Sequence, residues 1–257
     1  VIGIARQSLM TYASFMTAYF DADAAPGLRV RHRAEPLRGA WAAKAAIGLF
    51  AVTLLCFTAM ICIGSLKGQT NTQFRTGSFI GGGPVDPDAA RLKRREEKLD
   101  LVMHGITAAT FFTCFAAACC FTIWLTCVQR NLANLQVEGL SNQSGCFIWA
   151  CIVPGINLWK PYAIVQETWK ASDPYATENP HAWREISSAV FIWSWWVFSL
   201  TASAHLAAHY LSATFDPGPL AFGCAFAIAA CGLSIATIVS IGRRQTERRM
   251  RLFAYIA

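Results

Sequence analysis

Apolar residues fill four long blocks of this chain that contain no charged side chain: 45–66, 101–129, 186–215 and 217–242. Each is at least as long as the roughly 20 residues a helix needs to cross a hydrocarbon core about 30 Å thick. The pattern predicts an all-α integral membrane bundle of four transmembrane helices, with spans at about 41–66, 101–127, 183–210 and 220–241.

A fifth apolar stretch, GCFIWACIVPGINLWKPYAIVQETWK, is long enough to imitate a span. Only eight residues, CFIWACIV, separate Gly145 from Pro154, too few to cross. Pro154 and Gly155 break any helix there. Asn157 is placed to cap a new helix with Pro161 in its first turn, where a missing N–H does no harm. Beyond it, Leu158, Tyr162, Val165 and Trp169 recur at three- and four-residue spacing, with Lys160, Glu167 and Lys170 elsewhere on the helix. The expectation is a broken amphipathic, re-entrant hairpin over 145–171, between spans two and three. Its turn at 153–157 is expected to pack against the bundle, because irregular backbone at membrane depth must be buried or face water.

Around the membrane domain, 41–242, lie two polar segments. Residues 1–40 form an N-terminal cytoplasmic or interfacial segment. Its first 20 residues are apolar but carry Arg6 and Gln7, which favours an amphipathic helix on the membrane over a signal peptide. Residues 243–257 form a basic tail. The first loop, KGQTNTQFRTGSFIGGGPVDPDAA, is rich in Gly and Pro and is expected to be irregular; it ends in a charged helical stalk, RLKRREEKLD.

Composition agrees with a membrane protein. The 257 residues are 54% hydrophobic and only 14% charged, where soluble domains are nearer one quarter charged. The net charge of +7 gathers beside spans, where it sets orientation and meets anionic headgroups; it is no nucleic-acid signature. With four spans, fifteen of the 22 Lys and Arg share the side of the two termini and seven lie in the first loop. The positive-inside rule then places both termini in the cytoplasm, with the basic stalk running against the rule. The ten cysteines form no Cys-x-x-Cys pair and lie in apolar stretches, as small packing residues do.

Four short motifs stand out: WLTCVQRNLANL (124–135), WACIVPGINLWKPY (149–162), ETWKASDP (167–174) and WSWW (193–196). Together they resemble a bacterial family of multi-span membrane proteins known as a domain of unknown function. The shared pattern falls on Trp124, Arg130 and Asn131; on Pro154, Asn157, Leu158 and Pro161; on Trp169 and Ser172; and on Trp195 and Trp196. The resemblance covers roughly 45–240 and is strongest over 124–196. The Cys-rich second span and the long basic N-terminal segment depart from it. It implies a multi-pass protein of the bacterial inner (cytoplasmic) membrane and no known activity.

Three sets of residues are candidates for chemistry. Arg130 at the end of span two would bind a lipid phosphate or a partner carboxylate, or would simply snorkel beside a helix-ending Asn131. His104 lies near the start of span two, and His205 and His209 share a face near the end of span three. These ends are expected at the same outer depth. The three could hold a metal ion, or two of them a b-type haem; the plainer reading is interfacial histidines bonded to backbone or water. In span four, Gly223, Ala227 and Cys231 recur every four residues, a small-residue face serving either the internal bundle or a partner subunit.

No Asp or Glu falls within the four charge-free blocks, which argues against a proton-coupled pump. There is no phosphate-loop motif and no nucleophile–base pair. These features point to a non-catalytic membrane subunit or scaffold, contacting lipids and other membrane proteins or copies of itself. The alternatives are a haem- or metal-binding redox subunit using His104 with His205 or His209, and a small transporter or channel with the broken 153–161 segment lining its path.

Overall fold

The computed structural model describes residues 37–78, 87–142, 146–153, 155–176, 181–211 and 217–254. The expected interfacial segment at residues 1–20 and Pro154 lie outside the described residues. Among those described there is no strand. Four long helices carry the architecture: α1 (Ala40–Ser78), α2 (Pro87–Asn134), α5 (Val190–Leu211) and α6 (Pro217–Ala254). Between α2 and α5 come two short helices, α3 (Cys146–Ile152) and α4 (Lys160–Ala171), joined through a 3-10 turn at Ile156–Leu158. All four long helices are long and apolar enough to cross a membrane.

Their lengths differ for a physical reason. At 1.5 Å per residue, the 22 residues of α5 span roughly 33 Å, close to a hydrocarbon core. The 48 residues of α2 span roughly 72 Å, so α2 projects well beyond any bilayer. α1 packs against both α2 and α6, and α5 packs against α6. The start of α1, the end of α2, the start of α5 and the end of α6 meet at one end, here called the tail end.

Three apolar clusters follow the bundle axis. Away from the tail end, Phe57, Met60, Ala202, Leu220, Cys224, Ala227 and Cys231 form one. In the tail half, Phe121, Trp124, Leu125, Ile164, Val165, Ile192, Trp195 and Ile238 form the second, into which the short helices α3 and α4 insert Phe147 and Ile164. The third, beyond it, contains Leu132, Leu135, Val137, Ala171, Ala176 and Trp183. Lipid is as apolar as these side chains, so close packing and interhelical hydrogen bonds, more than water exclusion, hold such helices together.

Several sequence expectations are corrected. Residues 67–78 are helical and not an irregular loop: α1 runs on to Ser78, with Lys67 paired to Asp100 of α2 and Thr70 bonding back to the Leu66 carbonyl. The third long helix starts at Val190 and not near Trp183. Trp183 sits in a separate 3-10 turn, Ala182–Glu185, held there because its ring N–H donates to the Glu138 carbonyl at 3.0 Å. The basic tail is no separate appendage, since α6 continues unbroken to Ala254.

In the hairpin, Gly155 adopts φ +84°, open to glycine and strained for other residues, and reverses the chain there. Trp159, not Asn157, precedes the first turn of α4, and Pro161 lies within that turn. Asn157 instead donates its backbone N–H to the Val153 carbonyl at 3.1 Å. The buried face of α4 is Pro161, Ile164, Val165, Gln166, Thr168 and Ala171, whereas Leu158 is exposed. The turn is tied to the bundle through its backbone, while its apolar side chains face outward.

Candidate functional site

The densest polar arrangement lies at the tail end, where α2, α4 and α6 converge. It begins with Asn131, three residues before the end of α2. Its side-chain oxygen accepts from the Arg38 N–H at 3.1 Å and its Nδ2 donates to the Arg38 carbonyl at 3.0 Å. One side chain thus completes both hydrogen-bonding groups of the residue that leads into α1. Next to it, Gly39 has φ +97°, and a Cβ there would stand 2.8 Å from the Cβ of Cys127; α1 starts that close to α2.

Gln245 of α6 links the helices. Its Nε2 donates to the Val128 carbonyl at 3.0 Å and to Ser172 Oγ at 3.3 Å, and its Oε1 accepts from Asn131 at 3.4 Å. Ser172 in turn donates to the Thr168 carbonyl at 2.7 Å. Gln129, on α2, reaches Thr168 Oγ1 at 3.5 Å.

One turn further along α6, Arg248 is 1% exposed. Its Nε donates to the Leu135 carbonyl at 3.2 Å, and its Nη1 donates to the carbonyls of Ala171 at 3.4 Å and Asp173 at 2.8 Å. These carbonyls end α2 and α4. Helix C-termini carry partial negative charge and unsatisfied carbonyls, so one guanidinium caps two helices at once. Arg244 completes the arrangement. It pairs with the Asp173 carboxylate and lies 3.7 Å above the Trp169 ring, whose N–H donates to Ser240 Oγ at 3.0 Å. The rungs Trp169–Ser240 and Asp173–Arg244 rise together in number, so α4 runs parallel to α6.

Motif residues therefore divide by role. Asn131, Ser172 and Trp169 belong to the junction. Trp124 is core at 2% exposed, and Pro161 is buried in the first turn of α4. Trp195 donates to Ser234 Oγ at 2.8 Å and lies against Phe121. Trp196 donates to the Leu158 carbonyl at 2.8 Å. Arg130 is half-buried beside the junction.

The histidines are placed differently. His104 Nδ1 bonds with the Asp100 carbonyl at 2.7 Å and His205 Nδ1 with the Thr201 carbonyl at 2.9 Å, each within its own helix. His205 lies against Phe226 and His209 against Tyr210. Among the described residues no three His, Cys, Asp or Glu side chains form a metal-holding group. The helices that carry these histidines, α2 and α5, pack against α1 and α6 and make no extensive contact with each other.

The small-residue face of α6 points inward. A Cβ on Gly223 would lie 3.1 Å from Leu206 and 3.2 Å from His205 Cβ, and Ala227 and Cys231 are buried in the cluster away from the tail end. All ten cysteines are free; Cys224 and Cys231 are buried, whereas Cys62, Cys119 and Cys151 are exposed.

Arg248, Gln245, Arg244 and Asp173 were not singled out by sequence reasoning. A signal was present: Ile241, Gln245, Arg248 and Leu252 recur at helical spacing through the basic tail.

Four apolar spanning-length helices, held at one end by a buried polar junction, define a multi-span α-helical membrane protein. Residues 88–243 match the family described as Domain of unknown function (DUF4328). The match takes in more than half of the chain, and the chain belongs to that family. It begins one residue into α2, so α1 lies outside it. Comparison with curated proteins and with solved structures gives no match.

Proposed function

We propose that this chain is a non-catalytic integral membrane subunit or scaffold that packs against other membrane proteins in a bacterial inner membrane, with both termini cytoplasmic. The observation that carries the reading is the use made of the buried polar groups at the junction. Arg248, Gln245, Asn131 and Ser172 bond to backbone carbonyls of the converging helices and of the segment ahead of α1, and to one another. Such bonds hold helices in place, and none of them sets a base against a nucleophile. The outward surfaces of the spans, meanwhile, are apolar and aromatic, with Phe111, Phe112 and Phe115 exposed on α2.

The channel reading draws no support from the broken segment, whose Ile156, Leu158 and Trp159 lie exposed on the outside of the bundle. Native mass spectrometry of the tagged chain, released from its own membrane in mild detergent, tests the proposal. Extra protein subunits on a cofactor-free chain are the expected result. A lone chain carrying haem or metal mass overturns it in favour of the histidines, and a lone unliganded chain overturns it as well.

A further inference from the structure

The exposed tryptophans are not scattered. Of the nine, those with outward rings are Trp41 on α1, Trp149 on α3, Trp159 in the turn and Trp193 on α5, with exposures of 63%, 37%, 58% and 56%. Every one lies at the tail end. Trp41 follows the start of α1, Trp193 the start of α5, and α3 packs Phe147 and Ala150 into the tail-half cluster. Indole rings with an apolar body and one N–H donor favour the level where acyl chains meet headgroups.

The turn is fixed at that level. Trp196, in the second turn of α5, donates to the Leu158 carbonyl. Helical side chains point back toward the helix N-terminus, so this carbonyl lies within about 10 Å of the start of α5. Since α5 has the length of the hydrocarbon core, its first turns mark the boundary. The turn there presents Ile156, Leu158 and Trp159 away from the bundle at 40%, 60% and 58% exposure. Val190 and Trp193, in the first turn of α5, are exposed as well, at 76% and 56%. Basic groups lie at this end of the bundle: Lys160 follows the turn, and Lys44 stands exposed one turn from Trp41. Apolar tips with lysines at the same end match acyl chains beneath anionic headgroups.

We propose that the Ile156–Trp159 turn is seated in the bilayer at the tail-end interface, with acyl chains covering Leu158 and Trp159. The hairpin α3–turn–α4 is then a monotopic anchor built into a multi-span protein. This proposal stands apart from the subunit reading and does not depend on it.

The test uses the full chain in liposomes of phosphatidylcholine and phosphatidylglycerol, with bromine placed high or low on the acyl chain. The Trp159 signal is the difference between wild-type fluorescence and that of W159F. W149F, taken the same way, serves if W159F fails to fold. The expected result is strong loss of the difference signal with high-placed bromine, weaker loss with low-placed bromine, and little loss with aqueous iodide. Quenching by iodide and not by bromolipid means the turn is in water and overturns the proposal. Protection from both quenchers means protein covers the turn, a second copy or another subunit, and overturns it equally.

Discussion

Arg248 donates from Nη1 to the backbone carbonyl of Asp173 at 2.8 Å, while the Asp173 carboxylate is held by Arg244. The end of α4 is therefore gripped twice by α6, and Arg248 also reaches the Leu135 carbonyl beyond α2. Replacing Arg248 with Ala removes the shared cap of two helices and leaves the buried Asp173 charge less compensated. The expected loss is about 3 kcal/mol, the scale for breaking a buried charged network. Arg243, whose side chain is 80% exposed, is the control, and its replacement by Ala should leave stability unchanged. Unfolding in mixed micelles with increasing SDS fraction measures both; equal effects would show that Arg248 is no cap.

Asn131 makes a different prediction, because its bonds go to the backbone ahead of α1. Asn131→Leu removes both bonds to Arg38 and the one to Gln245. The expected destabilisation is about 2–3 kcal/mol, for hydrogen bonds lost in a buried site. Its mark is local: amides in the first turn of α1, including Ala43, which bonds to the Gly39 carbonyl, should exchange faster with deuterium than those in mid-span. Uniform exchange along α1 would show that Asn131 does not seat the helix.

Much of the fold is legible in the sequence because its physics is local. Charge-free blocks of this length read as spans, and Pro161 fits a first helical turn since its missing N–H has no partner there. What escapes is tertiary. Arg248 looks like one more basic residue of a polar tail until the carbonyl ends of α2 and α4 are brought to it. Equal depth for His104 and His205 follows from span order, but adjacency does not, since it depends on which helices lie between. Trp183 looks like the start of a span because the apolar block begins three residues on, at Ile186; its bond to the Glu138 carbonyl crosses 45 residues.

Trp169 and Ser240 form the rung of the α4–α6 pair nearest the membrane-embedded core, at 3.0 Å. Trp169→Phe removes this bond and weakens the stacking with Arg244, for an expected loss of about 1–2 kcal/mol. Ser240→Ala should cost about 1 kcal/mol. In a double-mutant cycle the pair should show a coupling of about 0.5–1.5 kcal/mol, since both changes delete the same bond. Additive effects would mean that the bond contributes nothing and that the Trp169 ring acts through its stacking with Arg244.

Gly223 distinguishes the internal use of the small-residue face from an external one. A Cβ there would come 3.1 Å from Leu206 and 3.2 Å from His205, so even Gly223→Ala needs its neighbours to shift slightly. Gly223→Leu cannot be accommodated without parting α5 from α6, and overpacking of this kind costs about 1–3 kcal/mol. On the same helix Gly232 has open space where its Cβ would stand. Gly232→Ala should therefore be neutral or stabilise by up to about 1 kcal/mol through helix propensity. The detergent unfolding assay should separate the two positions clearly. If Gly223→Leu left the isolated chain as stable as wild type, the face would not be packed inside α5–α6. If it also abolished binding of a co-purifying subunit, that face would belong to the partner.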